Sequence, residues 1–274
     1  PAMRRVVERQ GGCIVWAGGL DLSPADDILI RIERPLDFDS EGQMVASILS
    51  KKAAAGSSHV LIDMPVGPTA KVRTVAAAKA LSRRLSAVAA EIGLTLSINR
   101  SDGLAPVGRG IGPALEARDV LAVLRRSPAA PADLRARSLD IAAAVLGMAG
   151  GSSQGRAKAE ALLDDGAAEA KFMAICAAQG GFSEPPEAPH RHVVAADHEG
   201  IVAAFDNRRI AKIAKLAGAP GRKTAGVLLH SALGDRIETG APLYEIRADT
   251  PGELGWALDY AEAGPAPISL GAGS

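Results

Sequence analysis

Strands and helices alternate through the first two thirds of this sequence, and the texture changes behind a proline-rich break. The pattern predicts an α/β protein: a parallel or mixed sheet with flanking helices over residues 1–183, and a small α+β domain over 184–274. Three observations carry the expectation. HVLIDMP is a continuous apolar run, as in strands buried on both faces of a parallel sheet. A long Ala-rich helical segment, TVAAAKALSRRLSAVAAEIG, separates it from a second short strand, LTLSINR. QGGFSEPPEAPH then interrupts the alternation with three prolines and two glycines.

Taken in order, AMRRVVERQ has helical spacing and stops at Gly11-Gly12. It follows directly on Pro1, which we read as an internal edge of a longer polypeptide. Cys13 to Trp16 predict a short strand. Ser23 before Pro24 is an N-cap with a first-turn proline, and Asp26 and Asp27 suit the positive end of that helix better than a metal. Ser40 and Gln43 make a capping box for the next helix, SEGQMVASILSKK, whose Met44, Val45, Ile48 and Leu49 form one apolar stripe. Gly56 ends it. SDGLAPVGRGIGPALEARDVLAVL is a Gly-rich loop entering a helix near Pro113, followed by helices over about 132–149 and 154–178. Beyond the linker, RHVVAADHEGIVAAF alternates as strands and DNRRIAKIAKLAG is a short helix. KTAGVLLHSALGDRIETGAPLYEIRAD is strand–turn–strand, and TPGELGWALDYAEAG is a last helix with Trp256 on its apolar side. The GAGS tail is expected to be disordered.

Composition narrows the function classes. The chain is 47% hydrophobic and 3% aromatic, so its core is built from Ala, Val, Leu and Ile. Lys plus Arg balance Asp plus Glu at 31 each, with no basic run, which gives no electrostatic case for nucleic acid or an anionic membrane. Apolar runs are broken by charges well before membrane-spanning length. Cys13 and Cys176 lack metal-ligand spacing, as expected of reduced thiols in a cytoplasmic protein.

Four polar residues within 39–71 could carry chemistry. Asp39 precedes a helix, where a carboxylate caps free backbone N–H groups; beneath a bound base it could instead donate a proton. Ser47 and Lys51 are four residues apart and share a helix face, either as a solvated stripe or against a planar base. Lys52 points elsewhere and serves as an internal control. Lys71 follows the buried strand, and ligands gather beyond strand C-termini in parallel sheets. Gly108, Gly110 and Gly112 allow a phosphate cradle or a plain sheet-edge loop, the pattern being neither GxGxxG nor a P-loop. His190 and His192 share a strand face, but no fourth zinc donor accompanies them and His198. No nucleophile elbow or CxxC pair occurs.

The segment from GGCIVWAGGLDLSPADDILI through ASILSKKAAAGSSHVLIDMPVGPTAKV, with GRGIGPALEARDVL and KTAGVLLHSALGDRIETGAPLYEI, resembles the thymidine/pyrimidine-nucleoside phosphorylase family. The likeness is strongest to the branch holding archaeal AMP phosphorylases and bacterial thymidine phosphorylase-like proteins. It implies phosphorolysis: inorganic phosphate attacks C1′ of the sugar and the free base departs. It places the proton donor on Asp39, nucleotide contacts on Ser47 and Lys71, and pyrimidine-base contacts on Ser47 and Lys51. It implies no cofactor beyond phosphate as co-substrate, and a cytoplasmic homodimer for the full-length protein. AMP phosphorolysis, or nucleotide binding without turnover, is the alternative. The family's phosphate-binding loops lie upstream of Pro1, so these 274 residues alone are expected to be inactive. The C-terminal strands are similar to those of biotinyl or lipoyl carriers, but EIRADT lacks the carrier lysine.

Overall fold

A computed structural model describes residues 2–15, 28, 41–150 and 154–271. Within them the chain is α/β, with parallel and antiparallel sheets. Helix α1 spans Ala2–Gln10 and α2 spans Glu41–Ala54. The Met44, Val45, Ile48 and Leu49 stripe of α2 joins a core with Val60 and Met64 of strand β1 (His59–Val66) and Leu81 and Leu85 of helix α3 (Val75–Glu91). Burying a leucine such as Leu49 or Leu85 stabilises the fold by roughly 1.5–3 kcal/mol. Thr74 starts α3, its hydroxyl accepting from Ala77 N at 3.1 Å. Helix α3 returns the chain so that β2 (Thr95–Asp102) lies parallel to β1, in register from His59 against Thr95 to Val66 against Asp102.

Strand β3 (Gly110–Ile111) follows, then helices α4 (Pro113–Leu124), α5 (Ala132–Met148), α6 (Gly155–Asp164) and α7 (Ala167–Ala178). Val123, Leu139, Ala159 and Leu163 form their small core. After an irregular stretch over 181–188 come β4 (His190–Ala195), β5 (Gly200–Phe205), α8 (Asn207–Leu216), β6 (Gly226–Leu229), β7 (Arg236–Ile237), β8 (Pro242–Ala248), α9 (Pro251–Glu262) and β9 (Ile268–Gly271). The antiparallel order β3-β6-β8-β4 draws β3 from the first part of the chain into a sheet with three later strands. A second antiparallel sheet runs β7-β5-β9. Val202, Ile213, Val227 and Ile246 sit in the core between them. Among the described residues no helix is long and apolar enough to cross a membrane.

Three expectations are corrected. Residues 13–15 are not strand, because the main chain of Ile14 is paired by a side chain: its N–H donates to Gln179 Oε1 at 2.8 Å and its carbonyl accepts from Gln179 Nε2 at 2.6 Å. Trp16, the predicted Ser23 helix start and Ser40 lie outside the described residues. The single helix expected over 154–178 is two, broken where Gly166 takes a left-handed φ of +87° and Asp165 Oδ1 accepts from Ala167 N. Trp256 is not on the buried side of α9. It is 63% exposed, and Ala257 fills the packed position against the sheet.

Candidate functional site

Ser47 and Lys51 lie on α2 beside its buried stripe, and both are half-buried. Lys52 is exposed, so the two adjacent lysines do occupy different environments. Both stand in the last turn of α2, where the carbonyl end of the helix favours cations. Lys71 is exposed in the loop between β1 and α3. That loop folds back on its strand: Val72 bridges Val66, Gly67 N donates to Val72 O at 3.1 Å, and Ala70 N donates to Gly67 O at 3.0 Å. Lys71 therefore projects from a closed turn at the C-terminal end of a parallel strand. Asp39 lies outside the described residues.

An ionic cluster that the sequence reading passed over braces the same strand pair. Asp63 is the one acid in the apolar run of β1, which was the available signal. Its partner across the register is Asn99, whose Nδ2 donates to Asp63 Oδ1 at 2.8 Å, while Arg137 of α5 lies 3.3 Å from Oδ2. Arg137 also donates to the carbonyl oxygen of Asp102 at the end of β2. One arginine thus fixes the middle of β1 and the end of β2 to a helix. Both carboxylate oxygens of Asp63 are engaged, which suits bracing better than proton transfer.

The glycine-rich loop resolves toward the sheet edge. Gly110 and Ile111 form β3, and a side-chain carboxylate already takes the N–H of each of the three glycines and of Arg109. Gly108 N donates to Asp133 Oδ2 at 2.9 Å; Arg109 N and Gly110 N both donate to Asp119 Oδ2, at 2.6 and 2.7 Å; Gly112 N donates to Glu116 Oε1 at 2.9 Å. A phosphate would have to displace these carboxylates and then face their charge. The glycines serve close packing instead: a Cβ on Gly110 would lie 2.5 Å from the main chain of Leu115.

A cavity of about 900 Å³ opens between this loop, the start of α5 and the later sheet, with Asp102, Arg109, Asp133, Arg137, His230 and Asp235 among its lining. Ser47, Lys51 and Lys71 do not line it. Among the described residues no three His, Cys, Asp or Glu side chains gather as a metal site. Within β8, Glu245 and Arg247 are buried and paired at 2.6 Å, the reverse of the exposed turn a carrier arm requires.

No family model matches the chain. It is similar to a "Putative thymidine phosphorylase" of Polaromonas sp. (strain JS666), 62% identical over 261 residues, which are 94% of this chain and 51% of that protein. "Putative thymidine phosphorylase 2" of Acidovorax sp. (strain JS42) is 59% identical over 267 residues, 97% of this chain and 52% of that protein. A "Putative thymidine phosphorylase" of Hahella chejuensis is 54% identical over 270 residues, 98% of this chain and 54% of that protein. The chain spans about half the length of the curated relatives it matches.

Proposed function

We propose that this chain, which belongs to the thymidine/pyrimidine-nucleoside phosphorylase family, carries the base-side half of a phosphorolysis site. The observation that carries the reading is the identity of 54–62% over nearly the whole chain to proteins named for that reaction. The position of Lys71, in a closed turn just past the C-terminal end of β1, supports it.

In the proposed reaction an oxygen of inorganic phosphate attacks C1′, the C1′–N bond breaks, and its electron pair leaves on the base. Asp39 supplies the proton that neutralises the departing nitrogen, a role worth about 10²–10⁴ in rate. Ser47 and Lys51 present a hydroxyl and an ammonium to the carbonyl and ring nitrogen of the base. Lys71, in the loop after β1, holds the nucleoside or nucleotide. The half-burial of Lys51 strengthens its interaction with a carbonyl relative to an exposed lysine. The groups that hold the attacking phosphate belong to the part of the relatives that this chain does not span, and the active species is a cytoplasmic homodimer of the longer protein.

The test is phosphate-dependent base release by the intact protein from thymidine, uridine and AMP. Lys71→Ala and Asp39→Asn should each lower kcat/KM by about a hundredfold, within the range of positioning and proton-transfer effects. Lys52→Ala should leave it unchanged, and residues 1–274 alone should release no base. Full activity in Lys71→Ala and Asp39→Asn sinks the assignment.

A further inference from the structure

The loop that carries Lys71 is held from the far part of the chain. Its hydroxyl residue, Thr69, donates to the carbonyl oxygen of Phe205 at 3.3 Å and accepts from the main-chain N–H of Asn207 at 3.2 Å. Thr69 is 136 and 138 residues from these partners in sequence. Both capacities of the hydroxyl are used. The side chain of Asn207 reaches the second loop of the strand pair, its Nδ2 donating to the carbonyl oxygen of Gly103 at 3.0 Å. Gly103 follows β2 directly, so one residue grips the chain beyond both parallel strands.

The grip is firm on its own side. Phe205 ends β5 and is buried in the later core. Asp206 caps α8 by accepting from Arg208 N and Arg209 N, each at 3.0 Å, which leaves the N–H of Asn207 for Thr69. The base of the loop is equally fixed. Gly103 N donates to Val66 O at 3.0 Å, and a Cβ on Gly67 would press into the carbonyl oxygen of Gly103. Lys71 therefore stands between two pinned points: Thr69 two residues before it and Val72, paired to Val66, one residue after. Asn207 Oδ1 is buried and finds no hydrogen-bond partner among the described residues. That burial opposes folding, so the residue is better explained by what its two donors hold than by its own stability.

We propose that Thr69 and Asn207 form a latch that positions Lys71 for substrate, making the C-terminal module part of the site's geometry although it contributes no group to the chemistry. The proposal rests on the reading of Lys71 as a substrate contact. Neither latch residue is itself catalytic; both act through the lysine.

The experiment is a double-mutant cycle in the intact protein, read as kcat and KM for phosphate-dependent base release. Thr69→Val keeps the shape and removes the hydroxyl. It should lower kcat/KM about tenfold, inside the hundredfold that a 1 Å misplacement can cost, and Thr69→Ser should restore most of the loss. Asn207→Ala should act in the same direction. The double variant Thr69→Val/Lys71→Ala should be no worse than Lys71→Ala alone. If the two losses multiply instead, Thr69 acts independently of the lysine and the latch is overturned. It is equally overturned if Lys71→Ala is impaired while Thr69→Val and Asn207→Ala match the parent. If Lys71→Ala itself is fully active, the site reading fails, and the latch as a device for that lysine fails with it.

Discussion

Replacing Asp119 by alanine tests what the glycine-rich loop is for. One oxygen of this carboxylate accepts from two successive main-chain N–H groups, Arg109 at 2.6 Å and Gly110 at 2.7 Å. Asp119→Ala strands both donors. An unpaired buried donor costs about 1–3 kcal/mol. Arg109 is exposed, so water can replace the lost acceptor there at the low end of that range. Gly110 is buried against the first turn of α4, so the loss of its acceptor falls higher in that range. The expected loss is therefore about 2–4 kcal/mol, a large share of a typical total stability of about 5–15 kcal/mol. Urea unfolding should show a lower midpoint. Amide hydrogen exchange should localise the effect, with Gly110 and Leu229, whose N–H donates to the carbonyl oxygen of Arg109, losing protection before the β1–β2 pair does. A change below about 0.5 kcal/mol, the ordinary range for surface substitutions, with Gly110 still protected, would refute the claim that this carboxylate holds the loop.

Other outcomes follow from the same structure. Gly226→Ala should prevent stable folding or cost about 3 kcal/mol or more, since the new Cβ would press into the carbonyl oxygen of Ile111 at a φ of +157°. Gly221→Ala, whose Cβ would meet its nearest neighbour at 3.6 Å, is the control, and equal soluble yield and melting temperature for both would contradict this. Burial pushes the Tyr244 phenol up from 10.0 to about 12. A raised folded-state pKa contributes stability that is complete below pH 10 and is lost as pH rises toward 12, because the unfolded chain ionises first. Tyr244→Phe should therefore flatten the fall of the urea midpoint across that window; an unchanged alkaline slope would count against it.

Local pattern carried much of the architecture. The stripe of α2, the apolar run of β1 and the alternation into β2 were readable because each element buries the face its own period defines. Where an element depends on a distant partner, the pattern was silent. Gly110 and Ile111 are strand only because β6, more than a hundred residues on, pairs with them. Ile14 fails to be strand because a glutamine side chain takes its main-chain groups. Trp256 is apolar, yet which side of α9 is covered was settled by the sheet beneath it, and alanine fits that contact.

The candidate site divides along the same line. Sequence by itself determined the family, the helix face shared by Ser47 and Lys51, and the place of Lys71 past a buried strand, since these rest on spacing along one chain. Only the tertiary structure decided that the glycine loop spends its N–H groups on Asp119, Asp133 and Glu116, that Arg137 braces Asp63, and that Thr69 meets Asn207. Arg137 and Asp63 are 74 residues apart and Thr69 and Asn207 138, while the loop's carboxylates, 4 to 25 residues away, reach it only once α4 and α5 have folded back beside it. The short range of these hydrogen bonds means that nothing local in the chain signals the partner until folding brings it within about 3 Å.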